Sequence, residues 1–156
     1  MTKADQLAAT LDDFLTVSPD LEAAAVVSAD GLPMASALPP HVEEDRLAAM
    51  SAALLTLGER AATGLGKGDL SQVFVEGRNG YVVLMSAGAN AVLVAVTNKT
   101  AKVGLVLFEM RKTAARITEV MDQVPVAPVA PASLEPPVPA IPESPNGSQS
   151  LSPSWQ

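Results

Sequence analysis

Three short apolar runs follow one another in residues 72–96, which read QVFVEGRNGYVVLMSAGANAVLVAV. Asn79-Gly80 separates the first run from the second, and a dipeptide of this kind is typical of a tight strand reversal. Runs joined by so few residues must pair antiparallel, because a parallel crossover needs a dozen or more residues. The second and third runs are apolar at consecutive positions, so we expect both faces of these strands to be covered.

A second hairpin is predicted upstream, where residues 21–28 and residues 32–37 flank Ala29-Asp30-Gly31. Asp-Gly between two apolar runs is a strong local signal for a turn between antiparallel strands. Pro33 has no N–H to donate to a ladder, which places the second strand at an edge of the sheet.

Three helices complete the pattern. The first is predicted over residues 3–16 with Thr2 as its N-cap, and the second opens on Glu43-Glu44-Asp45 and ends at the glycines that begin with Gly64. The third is about 20 residues long by its periodicity, with Thr100 as its predicted cap. Its apolar stripe consists of Val103, Leu107, Met110, Ala114, Ile117 and Met121. The order αββαβββα predicts an α/β (α+β) fold, a three-layer α/β/α sandwich around a five-stranded antiparallel sheet.

Proline placement divides the chain. Of the 13 prolines, nine lie at Pro125 or beyond, in a segment that also collects serine, glycine and asparagine. We therefore predict one folded domain over residues 1–123 and a disordered Pro-rich tail over residues 124–156.

Composition excludes several classes of function. The chain has no cysteine and a single histidine, His41, so it offers neither a thiolate zinc site nor a His cluster for a metal. A net charge of -7 with dispersed basic residues argues against nucleic-acid binding. No signal peptide and no apolar window of about 18–20 residues is present, which predicts a cytoplasmic protein without membrane insertion. No residues assemble a nucleophile, base and oxyanion hole, so we expect neither an enzyme nor a bound cofactor.

The glycine-rich residues 64–68 superficially resemble a phosphate-binding loop. Residues 64–68 read GLGKG, but a P-loop requires a glycine where Ala61 stands, Ser or Thr after the lysine, and a strand before it. A loop at the C-terminal end of a helix is the better interpretation.

The second helix carries more apolar surface than one small domain can cover. Between Leu47 and Leu57 only Ser51 and Thr56 are polar. A helix that is apolar all round is normally buried all round, so part of this one is expected to meet another chain across a two-fold axis. The alternative is that its alanines are simply good helix formers on an exposed face.

At this point the sequence resembles the Roadblock/LC7 family, especially its prokaryotic members of the gliding-polarity and conservon types. The resemblance runs from Asp5 to Met121 and rests on the element order and on residues 25–32, 47–57 and 103–110. It implies a homodimer in which the second helices pair and the two sheets join edge to edge. It also implies a small Ras-like GTPase as partner.

The implied dimer and partner surface lies on the second helix. Its predicted residues are Arg46, Ala48, Ala49, Met50, Ser51, Ala52, Ala53, Leu54, Leu55, Leu57 and Glu59. Arg46, Arg60 and Arg78 are candidates for an arginine finger by residue type only. The resemblance favours reordering of the GTPase's own residues instead.

Two other functions stay open. The same dimer can serve as a scaffold or adaptor in a sensor kinase complex or cytoskeletal assembly, with the Pro-rich tail as a docking segment. A small-molecule sensor domain is the other, and the shortage of inward polar groups on the strands argues against it.

Overall fold

A computed structural model describes residues 1–123 of the chain. Its elements, in chain order, are α1 (Lys3–Val17), β1 (Leu21–Ser28), β2 (Pro33–Ala37), α2 (Glu44–Gly64), β3 (Gln72–Gly77), β4 (Gly80–Ser86), β5 (Ala91–Asn98) and α3 (Val103–Met121). The predicted order αββαβββα is confirmed. The predicted disordered tail at residues 124–156 lies outside the described residues, so the division of the chain stays a prediction.

The five strands form one antiparallel sheet in the order β2-β1-β5-β4-β3. β2 lies at one edge, as Pro33 predicts, and β3 lies at the other. The β3–β4 reversal differs by one position from the sequence prediction. Gly77 pairs with Gly80, so Arg78 and Asn79 form the two-residue turn and Gly80 already belongs to β4.

Helices cover both faces of the sheet, which makes the predicted three-layer sandwich. α1 and α3 pack on one face, where Leu11, Phe14 and Ile117 meet sheet residues such as Val26 and Leu93. Of the three helices in residues 1–123, α2 alone lies on the other face, over a second core cluster. Neighbouring residues of β1, β4 and β5 enter opposite clusters, which explains why β4 and β5 are apolar at consecutive positions.

The first helix begins as the sequence predicts. The Thr2 hydroxyl accepts a hydrogen bond from the Asp5 N–H at 3.1 Å, and the Thr2 N–H donates to the Asp5 carboxylate at 3.1 Å. This reciprocal pair satisfies two N–H groups at the start of α1. The Thr2 backbone N–H first, and its side chain second, hold the pKa of the Asp5 carboxyl below its ordinary value.

Replacing this cap gives a pH-dependent prediction. A carboxyl whose folded-state pKa is lowered stabilises the fold above its ordinary pKa, and the contribution is lost as pH falls through the folded-state value. We expect Thr2→Ala to raise the pKa of Asp5 and to reduce the acid-dependent fraying of α1. An NMR titration of the Asp5 carboxyl from about pH 2 to pH 7 measures the pKa, and hydrogen exchange of the first α1 amides over the same range measures the fraying. Thr16→Ala, which removes a hydroxyl in the last turn of α1, should leave Asp5 unchanged. An unaltered Asp5 titration in Thr2→Ala would contradict the assignment.

The predicted cap of the last helix is wrong. α3 begins at Val103, and its N-cap is Lys102, which makes no side-chain capping bond. Thr100 instead donates its N–H to the Asn98 side-chain oxygen at 3.0 Å, and its hydroxyl lies 2.7 Å from that oxygen. Thr100 therefore belongs to the turn at residues 99–100, and the helix starts three residues later, at Val103.

Candidate protein interface on α2 and β3

α2 has one face against the sheet and one face exposed. Ala48, Ser51 and Leu55 are buried in the protomer's own core, with 0%, 2% and 7% of their surface exposed. The prediction that these three contribute to a partner surface is therefore corrected, since their side chains meet the sheet. Ser51 is polar yet buried because its hydroxyl donates to the Leu47 carbonyl at 2.7 Å.

The other predicted residues of α2 remain available to a partner. Ala52 and Leu54 are half-buried at the margins, and the exposed ones are Arg46, Ala49, Met50, Ala53, Leu57 and Glu59. Ala49, Met50, Ala53 and Leu57 follow helical spacing and form one stripe, which we call the α2 face. Met50 is 49% exposed and Leu57 is 62% exposed.

Beside this helix runs the free edge of the sheet. β3 pairs with β4 alone among the described residues, so one row of its backbone N–H and C=O groups has no strand partner there. Phe74 and Val75 are exposed on it, and the Phe74 ring lies 5.2 Å from the Tyr81 ring. An unpaired, apolar edge strand is a template for pairing with another strand.

A glycine brings the helix and the edge strand together. A Cβ on Gly58 would lie 2.8 Å from Val73 Cγ2, closer than real Cβ contacts, and a tight 3.1 Å from Leu70 Cδ2. Gly58 therefore lets α2 approach the start of β3. The α2 face and the β3 edge consequently form adjacent parts of one surface. The apolar pattern of residues 72–77 predicts the strand but not its place beside α2.

The polar groups near this surface do not converge on a chemical site. Arg46 and Arg60 are exposed near opposite ends of α2, and Arg78 lies in the β3–β4 turn. Arg46 and Arg60 are separated by roughly 21 Å along the helix axis. His41 and Arg46 line a hollow of about 260 Å³ beside Met50, at the start of α2. Within residues 1–123 no group of three or more acidic or histidine side chains is placed to hold a metal ion.

The glycine-rich loop has the geometry of a helix exit. α2 ends at Gly64, and Gly66 and Gly68 adopt φ values of +74° and +89° before the chain enters β3. The order is helix, loop, strand, the reverse of the order that a P-loop requires. None of the helices described over residues 1–123 is long and apolar enough to cross a membrane.

The element order, the single sheet and the placement of α2 agree with a family match. The Roadblock/LC7 domain matches residues 7–97 of the chain, which is more than half of its length. The chain belongs to the Roadblock/LC7 family. The match extends from α1 through β5, so α2 and β3 both lie inside it.

Relatives of this Roadblock/LC7 domain occur in archaea and bacteria. The Methanocaldococcus jannaschii protein MJ1340 is 33% identical over 103 residues, which is 66% of this chain and 90% of that protein. The solved structure of Myxococcus xanthus MglB aligns with a TM-score of 0.71 at 19% identity, covering 76% of this chain and 90% of MglB. A Roadblock/LC7 domain from Streptomyces avermitilis aligns with a TM-score of 0.56 at 28% identity, covering 70% and 95%. The Roadblock/LC7 domain described here thus has the fold of MglB.

Proposed function

We propose that this Roadblock/LC7 domain is a non-catalytic homodimer that regulates a small Ras-like GTPase. The observation that carries the proposal is the exposed apolar α2 face lying beside the unpaired β3 edge. Within residues 1–123 no element is left to cover either one, because α1 and α3 occupy the opposite face of the sheet. A second copy of the domain offers an apolar α2 face and an unpaired β3 edge that can pair with those of the first.

A two-fold axis between the β3 edges supplies the geometry for this dimer. Two β3 strands paired antiparallel would join the sheets into one of ten strands, with both α2 helices on the same side. Ala49 and Ala53 carry small side chains, which permits two helix backbones to approach closely. Met50 and Leu57 supply the apolar area, and Arg46 and Arg60 lie at the rim, where charged groups remain hydrated.

The GTPase partner is supported by family membership and by the likeness to MglB. Regulators and adaptors are the typical roles of Roadblock/LC7 domains. No arginine of α2 is distinguished as a finger by anything except its residue type, so we propose that the dimer acts by reordering the GTPase's own residues. The partner surface would include the paired α2 helices with Arg46 and Glu59, both exposed.

The test is single-turnover GTP hydrolysis by a Ras-like GTPase encoded beside this protein. We expect the full chain to change the rate by tenfold or more, and a monomeric Ala53→Arg variant to lose the effect. Ala8→Arg, an exposed substitution on α1, is the matched control and should retain it.

The alternative is a scaffold or adaptor dimer, for example in a sensor kinase complex. If sedimentation shows that the protein binds the GTPase but the rate of GTP hydrolysis is unaltered, the regulatory role is contradicted and the adaptor role is favoured. Failure of both binding and rate change would reject the GTPase as partner.

A further inference from the structure

A second exposed apolar patch lies on the opposite side of the molecule from the α2 face. Leu105 and Phe108 on the outer side of α3 are 55% and 54% exposed, and Val17 at the end of α1 is 54% exposed. A hollow of about 60 Å³ lies between Pro19 and Leu105, and a second of about 110 Å³ lies beside Val17. We call Val17, Pro19, Leu105 and Phe108 the α3 patch.

The proposed dimer leaves this patch open. α3 and α1 lie on the other face of the sheet from α2, and the proposed two-fold axis runs at the β3 edge. Single exposed apolar residues need no explanation, but bulky ones one turn apart on a helix, such as Leu105 and Phe108, indicate an interaction site.

The charge around the α3 patch differs from that of the rest of the chain. Along the sequence, five of the ten lysines and arginines lie between Lys99 and Arg116, with Glu109 as the only carboxylate in that stretch, although the net charge of the chain is -7. In space, Asp13 pairs with Arg116 at 3.0 Å and Asp20 lines the smaller hollow, so the unpaired cations are the ones that remain for a partner. Lys112 Nζ lies 5.2 Å from the centre of the Phe108 ring and 3.4 Å from Glu109. Lys102 and Arg111 are exposed and have no ion-pair partner within residues 1–123.

These charges favour a protein over a lipid surface. α1 lies beside α3 in the same layer and exposes Asp5, Asp12 and Asp13. A flat anionic bilayer touching α3 would bring these carboxylates close to its own negative charge. A narrow acidic segment can lie along α3, where the exposed cations Lys102, Arg111 and Lys112 outnumber the Glu109 carboxylate.

We propose that the α3 patch binds an acidic segment of a partner protein. Apolar side chains of that segment would contact Leu105 and Phe108, and its carboxylates would face Lys102, Arg111 and Lys112. Lys112 bridges the two kinds of contact, since it already lies over the Phe108 ring. This surface is separate from the α2 face, so the inference stands whether or not the domain regulates a GTPase.

The test uses a defined probe peptide and the full chain labelled with ¹⁵N. The probe alternates glutamates with one leucine and one phenylalanine. One matched peptide replaces the two apolar residues by serine, and another replaces the glutamates by lysine. We expect amide shifts confined to residues 99–112 and to the end of α1, with at least tenfold weaker binding of both matched peptides and weaker binding at high salt.

Variants of exposed residues identify the surface without disturbing the core. Phe108→Ser and Lys112→Glu should each weaken binding of the probe by about tenfold or more. Leu65→Ser and Lys67→Glu, both exposed in the loop after α2, are the matched controls and should bind as the wild type does.

Several outcomes would overturn the proposal. No shifts at millimolar probe, or equal binding of the lysine peptide, would reject an acidic ligand. Phe108-dependent binding to phosphatidylserine vesicles without binding of the probe would assign the patch to a membrane. A lower sedimenting mass for Phe108→Ser than for the wild type would assign it to another copy of this chain.

Discussion

Ala53→Arg is expected to convert the protein from a dimer into a monomer. Ala53 is exposed in the middle of the α2 face, so arginine leaves the protomer core intact and is itself a good helix former. At a two-fold axis each substitution occurs twice, and each bulky charge must be accommodated against an apolar partner. Overpacking alone costs about 1–3 kcal/mol per site, so the dimer dissociation constant should rise by about a hundredfold or more.

Sedimentation velocity at micromolar concentrations measures this effect. The wild type should sediment as a dimer and Ala53→Arg as a monomer with unchanged far-UV circular dichroism. Ala8→Arg introduces the same side chain on the exposed side of α1 and should remain dimeric. A monomeric wild type at tens of micromolar would reject the pairing of α2 helices.

Substitutions at neighbouring α2 positions would not separate dimerisation from folding. Ala52 lies against the β1–β2 turn, since a Cβ on Gly31 would be 3.5 Å from Ala52 Cβ. Leu54 packs against the core cluster beneath α2. Charged residues at either position would disturb the protomer as well as the dimer.

The sequence predicts the elements better than it predicts their arrangement. Asp30-Gly31 and Asn79-Gly80 mark hairpins through local turn chemistry, and Pro33 marks an edge. The pairing of β1 with β5 joins segments that are far apart in the chain, and no local signal specifies it. The central position of β5 therefore appears only in the structure.

The same limit applies to the candidate interface. In α2 the one polar residue of the buried face, Ser51, satisfies its hydroxyl within the helix, while Met50 and Leu57 point to solvent. Polarity alone would therefore place Ser51 in solvent and Met50 and Leu57 in the core, the reverse of what the structure shows. On α3 the predicted stripe is largely right, but it gives no indication that Leu105 and Phe108 form a separate exposed patch.

Among the glycines of residues 1–123, Gly80 is the one whose replacement by alanine is expected to reduce stability most. Gly80 is the first residue of β4 and has φ +153°, a conformation that residues with side chains rarely adopt. A Cβ there would overlap the carbonyl oxygen of Thr97 on β5, and that oxygen belongs to the backbone. The two strands would have to separate where β4 enters the sheet.

The loss should be about 4 kcal/mol or more, a large part of the 5–15 kcal/mol that stabilises an ordinary domain. Gly66→Ala is the matched control, because Gly66 also has positive φ, +74°, but a Cβ there would meet nothing within 4 Å. Its substitution should reduce the stability only by the backbone strain that alanine adds at positive φ, about 1–2 kcal/mol. Urea unfolding followed by far-UV circular dichroism compares the two variants at equal protein concentration. Equal losses would show that β4 moves away from Thr97 without penalty, and the close β4–β5 approach would then not limit the fold.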